Sequence, residues 1–325
     1  MAPNMHRLLK LIIILFLSVN MSFCMTFDNR FIPLYQKQCT KFPDYLSHLI
    51  VQPFASTADS SFNDIGELAP ISAFNGTYDM VKIDKALKLS GKTSGSLFRS
   101  DWRGLATVPW ELFGLLETQG VAFLYHQSLG HHLAFGVSAL FMHVGFHQQF
   151  RRELAGMQSS LPLQPEGDEN ELLALKQKMN NLIGVNPPQY SAFGFGDVDI
   201  YLRAGERFDY LLKMRSIDVG GRIGVLIPSG LIADINNPAS IPFGGNGFWG
   251  VYGAIDAEFE LKRDMKVGAL LRLNKRFTKT VQSRFPVLLE PTTYGINVGP
   301  LKIDPGFTFI IAPYFRLDGL REGLG

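Results

Sequence analysis

Apolar and polar side chains alternate with period two in several stretches of about 12 to 16 residues, the pattern of β-strands with two unlike faces. The clearest runs from Gly250 to Leu261. Val251, Gly253, Ile255, Ala257, Phe259 and Leu261 share one face, while Tyr252, Ala254, Asp256, Glu258 and Glu260 share the other. Lys262, Arg263 and Asp264 then turn the chain. In the next strand Met265, Val267, Ala269, Leu271 and Leu273 face one way, and Lys266, Gly268, Leu270, Arg272 and Asn274 the other. Pairing across that turn sets Glu260 opposite Lys266.

Alternation alone fits both a soluble sandwich, which buries its apolar face, and a membrane barrel, which shows that face to lipid and its polar face to a wet lumen. Strand length favours the barrel, because a tilted spanning strand takes ~9–11 residues whereas soluble strands average about 5 or 6. The expected lumen lining is Tyr252, Asp256, Glu258, Glu260, Lys266, Arg272, Asn274 and Arg276, with acidic and basic rows on neighbouring strands holding a wet wall together.

Eight strands are expected, near Leu46–Ser56, Leu112–Gln127, Leu133–His147, Phe195–Gly205, Tyr210–Ile227, Phe248–Leu261, Met265–Thr278 and Gly306–Leu317. Tight turns at Leu129–His132, Glu206–Asp209 and Lys262–Asp264 alternate with long segments after Ser56, His147, Ile227 and Thr278, which matches short periplasmic turns and long external loops. The fold expected is therefore all-β, an antiparallel up-and-down transmembrane β-barrel of at least eight strands. A slip of the apolar phase between Met214 and Ile217 predicts a bulge near Arg215 and Ser216. The loop at about 148–193 carries a helix over Glu169–Ile183, with Leu172, Leu173, Leu175 and Met179 at helical spacing and Pro187 and Pro188 beyond. Such a helix either caps the barrel mouth or packs on its own loop.

The N-terminus departs from the strand pattern. His6, Arg7 and Lys10, an apolar run from Leu11 to Val19 and a short polar stretch ending in Ser22 and Cys24 form the plan of a signal peptide over residues 1–24. The run falls short of the ~20 residues of a spanning helix, and bulky Phe23 argues against acylation of Cys24. A mature barrel over residues 25–325, with a lead at 25–44, then keeps Cys39 alone and forms no internal disulfide. Glycine (32) and phenylalanine (26) suit aromatic-rich strands joined by turns, and a net charge of +2 with scattered basic residues excludes a nucleic-acid surface.

The stretch with Gly194, Gly196, Asp197, Val198, Asp199 and Ile200, running on to Ile227, Pro228, Ser229 and Gly230, resembles a known hairpin. It is similar to the Gly-x-Gly-Asp opening, charged turn and Pro-Ser/Thr-Gly exit of porin-like barrels related to the meta-pathway phenol-degradation family of transporters. That resemblance implies passage of small, aromatic or apolar, solutes and supplies no catalytic residue. Asp318–Gly325 reads as a turn entering another strand rather than as a closing aromatic strand, so a longer chain is expected.

Enzyme chemistry finds little support. His126, His131, His132, His143 and His147 concentrate around one hairpin but lack a carboxylate or cysteine at ligand spacing, so rim or lumen positions suit them better than a metal. Ser138 and His143 fall on opposite faces of a strand, and the row Asp256, Glu258 and Glu260 reads as lumen lining rather than a catalytic pair. Gly194 and Gly196 precede a strand, not a helix, and so cradle no phosphate. Gly244, Gly245 and Gly247 return an external loop to the wall beside Trp249. The expected protein is exported to the bacterial outer membrane and is not an enzyme. It is a porin-like channel or passive transporter, with lipid and small solutes as partners and no cofactor or metal. A non-conducting anchor or adhesion scaffold is the rival.

Overall fold

Alternating sequences of this kind satisfy their backbone groups by pairing with neighbours, and here they do so in one curled sheet. The computed structural model describes residues 47–62, 68–71, 78–102, 105–130, 132–152, 167–210, 214–262, 265–288 and 290–317. The expected signal peptide, the 25–44 lead, both cysteines, His131, Arg263, Asp264 and the 318–325 segment lie outside the described residues. The strands are β1 (Ser47–Ala58), β2 (Ser60–Phe62), β3 (Leu68–Pro70), β4 (Tyr78–Asp79), β5 (Pro109–Ser128), β6 (Leu133–Arg152), β7 (Gln189–Phe195), β8 (Val198–Asp209), β9 (Ser216–Ile227), β10 (Gly250–Lys262), β11 (Met265–Arg276), β12 (Lys279–Phe285), β13 (Asn297–Ile303) and β14 (Phe307–Leu317). The helices are α1 (Met80–Leu89) and α2 (Gly167–Ile183).

Antiparallel β-structure dominates, and β1, β5, β6, β8, β9, β10, β11 and β14 pair in that order as a curled half-barrel. These eight correspond to the stretches that alternation picks out. The short gaps between β5 and β6, β8 and β9, and β10 and β11 fall at one end of the sheet, and the long ones at the other. Glu260 pairs with Lys266, with a register shift between Glu260 and Lys262 where the strand turns. Among the described residues no strand adds to the far side of β1 or β14. Each of these margins carries a mid-strand proline, Pro53 and Pro313, a residue that sheets tolerate at edges.

Two boundaries differ from the sequence reading. Strand β8 runs through Glu206–Asp209, and the turn lies at Tyr210–Arg215, closed by the Tyr210 N–H donating to the Arg215 carbonyl at 3.0 Å. The phase slip near Arg215 and Ser216 is therefore the exit of a turn rather than a bulge. The expected strand at Phe195 is in fact two: β7 pairs with the loop-end half of β6 and β8 with the other half, with a break at Gly196 and Asp197.

The two faces of the sheet differ in character. Phe135, Leu202, Ile223, Gly253, Leu273 and Phe309 form one outward row across six strands, and Ile223 and Ile255 are 69% and 59% exposed. The inward row is polar: His48, His126, Gly136, Tyr201, Gly224, Tyr252, Asn274 and Thr308. Tyrosines in that row lie over glycines on neighbouring strands; a Cβ on Gly224 would stand 2.4 Å from the Tyr252 ring. Trp249 and Phe277 at the loop end and Phe208, Tyr210 and Phe315 at the turn end are exposed on the outside.

At the loop end the long connections build a cap with its own core. Asp79 caps α1, accepting from the Val81 N–H at 3.0 Å, and also takes the Val108 N–H at 3.0 Å. The buried face of α1, with Met80, Ile83 and Leu87, meets Leu172, Met179 and Ile183 of α2 and Trp110, Tyr78 and Tyr294. Gly184 ends α2 at φ +76°, the left-handed cap that glycine adopts freely. So α2 joins a cap drawn from several loops, not its own loop alone, and β12 and β13 pair as a separate hairpin within it.

Candidate functional site

The concave face concentrates the chemistry. Arg203 on β8 reaches across β9 to Asp256 on β10, donating from Nη2 at 2.7 Å and Nε at 3.3 Å, and from Nη2 to Asp218 at 3.0 Å. Arg203 is 0% exposed. The reach exists because Gly220 lies between; a Cβ there would stand 2.3 Å from the guanidinium. Arg222 approaches Asp256 at 3.8 Å, so two cations and two carboxylates form one buried group.

The expected lining residues all lie on β10 and β11 with inward register, but they are brought together differently from the expected rows. Opposite Asp256 is Leu270, opposite Glu258 is Gly268, and opposite Arg272 is Ala254, so among the charged lining residues only Glu260 and Lys266 face one another directly, while Tyr252 faces Asn274. Glu258 accepts from the Tyr314 hydroxyl at 2.9 Å, and Glu260 accepts from Ser216 Oγ at 2.9 Å with Arg215 at 3.5 Å. Arg272 lies 3.6 Å over the Tyr252 ring and donates to Asn274 at 2.6 Å and to Asp199 at 3.3 Å. Arg276 stands apart at the loop end.

There Arg276 forms a latch. Its guanidinium pairs with Asp197 at 2.9 Å and donates to the Phe248 carbonyl at 2.7 Å, while Asp197 accepts from the Gly245 N–H at 2.7 Å. A Cβ on Gly245 would stand 1.7 Å from the same guanidinium. This anchors the 228–249 connection on the concave side, where Ala239, Ile241 and Phe243 pack against Met142, Val144 and Phe146 of β6. The glycines at 244 and 245 admit that close approach, which extends their expected role of returning the chain to the wall. Ser229 Oγ donates to the Gly196 carbonyl at 2.9 Å and accepts from the Val198 N–H at 3.1 Å, clasping the break between β7 and β8 to the start of the loop.

The histidines separate. His126 is buried inside, 4.9 Å from the His48 ring and sharing a 3.3 Å hydrogen bond with the Tyr201 hydroxyl. His132 pairs with Glu206 at the turn end at 3.1 Å, and His143 lies on the outer face with Ser191 at 3.0 Å. Among the described residues no group of three or more histidine, cysteine or acidic side chains gathers as a metal site.

Arg203, Asp218, Arg222, Asp197, Tyr201 and His48 belong to the site but escape a reading of β10 and β11 alone. Their signal was the inward parity of Tyr201 and Arg203, together with glycines at Gly220 and Gly224 where a large neighbour needs room. In the cap, Lys176 takes a core position between Leu172 and Met179, with Nζ 3.2 Å from the Phe150 ring centre and 4.9 Å from that of Trp110. Burial alone pulls its ammonium down to about 7. The docked cap then holds fewer protons than the undocked cap between pH ~10.5 and ~7. Its stability is expected to fall as pH drops through that window and to level off below it, with the dependence absent in Lys176→Met; hydrogen exchange of α2 against pH measures both.

Compared with protein-family models, curated proteins and solved structures, the chain finds no match in any of the three.

Proposed function

We propose that the chain is the wall of an exported outer-membrane β-barrel that passes small solutes, with the 228–249 loop narrowing the passage. The observation that carries this reading is the inverted polarity of the sheet. Charges pair on the concave face while Ile223, Ile255 and Phe307 stand exposed on the outside, an arrangement that costs free energy in water and is favourable in lipid. Aromatic residues at both ends of the outer band suit the two membrane interfaces. Hydrocarbon leaves no water for unpaired backbone, so the margins of β1 and β14 must be paired in the membrane, with each other or with further strands. They run antiparallel, as a closed ring requires, and small barrels of eight strands exist.

Since the inward charges are paired with one another, the passage should select weakly between cations and anions. Single-channel recording from the refolded mature chain in a planar bilayer is expected to give discrete steps, larger in Asp197→Asn, whose latch is weakened. Cysteines at 266 and 272 should react with water-soluble reagents and those at 255 and 271 should not; the reverse pattern would falsify the assigned faces. A second reading, a non-conducting scaffold, draws on the separate core of the cap and the near-complete burial of Arg203. Folded but electrically silent protein would establish it.

A further inference from the structure

The outward face carries a trough of about 730 Å³ that crosses β8, β9, β10, β11 and β14, within the ~300–1,000 Å³ of small-molecule sites. Its floor is Gly253, where a Cβ would meet nothing within 4 Å, and its walls include Ile223, Leu202, Leu273 and Phe307. Two outward rows cross it, and Lys275 is the single charged residue in them among the described residues. Its Nζ lies 4.9 Å from the Phe307 ring and donates to Asp304 at 2.7 Å. Lys275 is next to the loop end of β11, beside Trp249 and Phe277, at the level where an amphipathic side chain meets lipid headgroups.

We propose that this trough holds one anionic, phosphate-bearing membrane lipid, an acyl chain lying over Gly253 and the phosphate on Lys275. The proposal rests on the membrane reading above. Apolar walls select the chain, and the cation at one end selects the headgroup. Asp304 serves as counter-ion when the site is empty. Its carboxyl, held below the usual range by the hydrogen bond from Lys275 and 57% exposed, is a partner that a phosphate displaces, because a solvent-exposed ion pair contributes little.

Trp249 is a built-in reporter. It is exposed about two residues along the same face from Val251 in the trough, whereas Trp102 and Trp110 are buried in the cap. The folded chain is placed in phosphatidylcholine vesicles containing phosphatidic acid, with bromine on the chains of one lipid or the other. Quenching of Trp249 is expected to show about a five-fold preference for phosphatidic acid, the worth of one lysine near an anionic surface. Lys275→Gln and Gly253→Phe should each bring the preference to about one, and Asp304→Asn should raise it; Lys275→Gln leaves the wall packing intact and so separates loss of the site from misfolding. Equal quenching by both lipids overturns the lipid site while leaving the membrane reading standing. Folded protein quenched by neither overturns both.

Discussion

Arg203→Ala is expected to lower the unfolding free energy by about 3–5 kcal/mol, the usual penalty for removing one partner from a buried ion pair. The guanidinium makes three hydrogen bonds to Asp218 and Asp256, and alanine leaves both carboxylates buried at 5–6% exposure. Arg222, at 3.8 Å from Asp256, is too distant to replace a bond of 2.7 Å. The midpoint of urea unfolding, followed by the heat-shifted gel band, measures the loss. Combining Arg203→Met with Asp218→Asn and Asp256→Asn should recover most of it, since the cost lies in uncompensated charge rather than in the missing pair. A single variant within 1 kcal/mol of the parent would show that water solvates this group and that the interior is open here.

The second large effect is expected from Arg284→Ala, and it should be local. From β12 this side chain donates to the carbonyls of Ile183 (3.2 Å) and Gly184 (2.8 Å) at the end of α2, of Gly295 (3.1 Å) and of Ile235 (2.5 Å), and to Asn236 Oδ1 (2.9 Å). One cation thus satisfies the open C-terminus of a helix and fastens it to two other loops, a placement that the helix dipole also favours. Hydrogen bonds to a charged donor contribute about 1.5–3 kcal/mol each and are not additive, so a loss of at least about 3 kcal/mol is expected from the cap. Protease cleavage within α2 and the 228–249 loop should rise steeply while the wall keeps its heat-shifted mobility. Arg284→Lys should rescue only in part, since an ammonium cannot spread over four carbonyls. Uniform destabilisation of wall and cap would contradict the division into a wall and a separately packed cap.

How much of this was legible beforehand depended on the range of the interactions. Strands and faces follow from local alternation, so the wall, its order and the inward parity of Asp256, Glu258, Arg272 and Arg276 could be read directly. The pairing of those charges could not. Asp256 finds Arg203 two strands away because Gly220 makes room, and the sequence distance between them carries no periodic signal. The turn after β8 was misplaced because Glu206, Arg207 and Asp209 are charged, like a turn, yet they end a strand whose outer neighbour Phe208 faces outward. Lys176 was missed because a helix stripe is sought among apolar residues, whereas this amine is buried between aromatic rings. Arg284 gives no local signal at all: its partners lie near 183, 235 and 295 and meet only in the folded cap.

The alternation of short and long connections also orders the folding of the wall. The pairs β5 with β6, β8 with β9 and β10 with β11 each close across a few residues, so they form fast. Joining β1 to β5 closes the chain across residues 59–108, and joining β14 to β11 closes it across 277–306, each at a larger entropic cost. Three hairpins are therefore the kinetic units of this sheet. The joins that fuse them, across 153–197 and 228–249, carry a larger entropic cost too and, like the two proline-bearing margins, follow the hairpins.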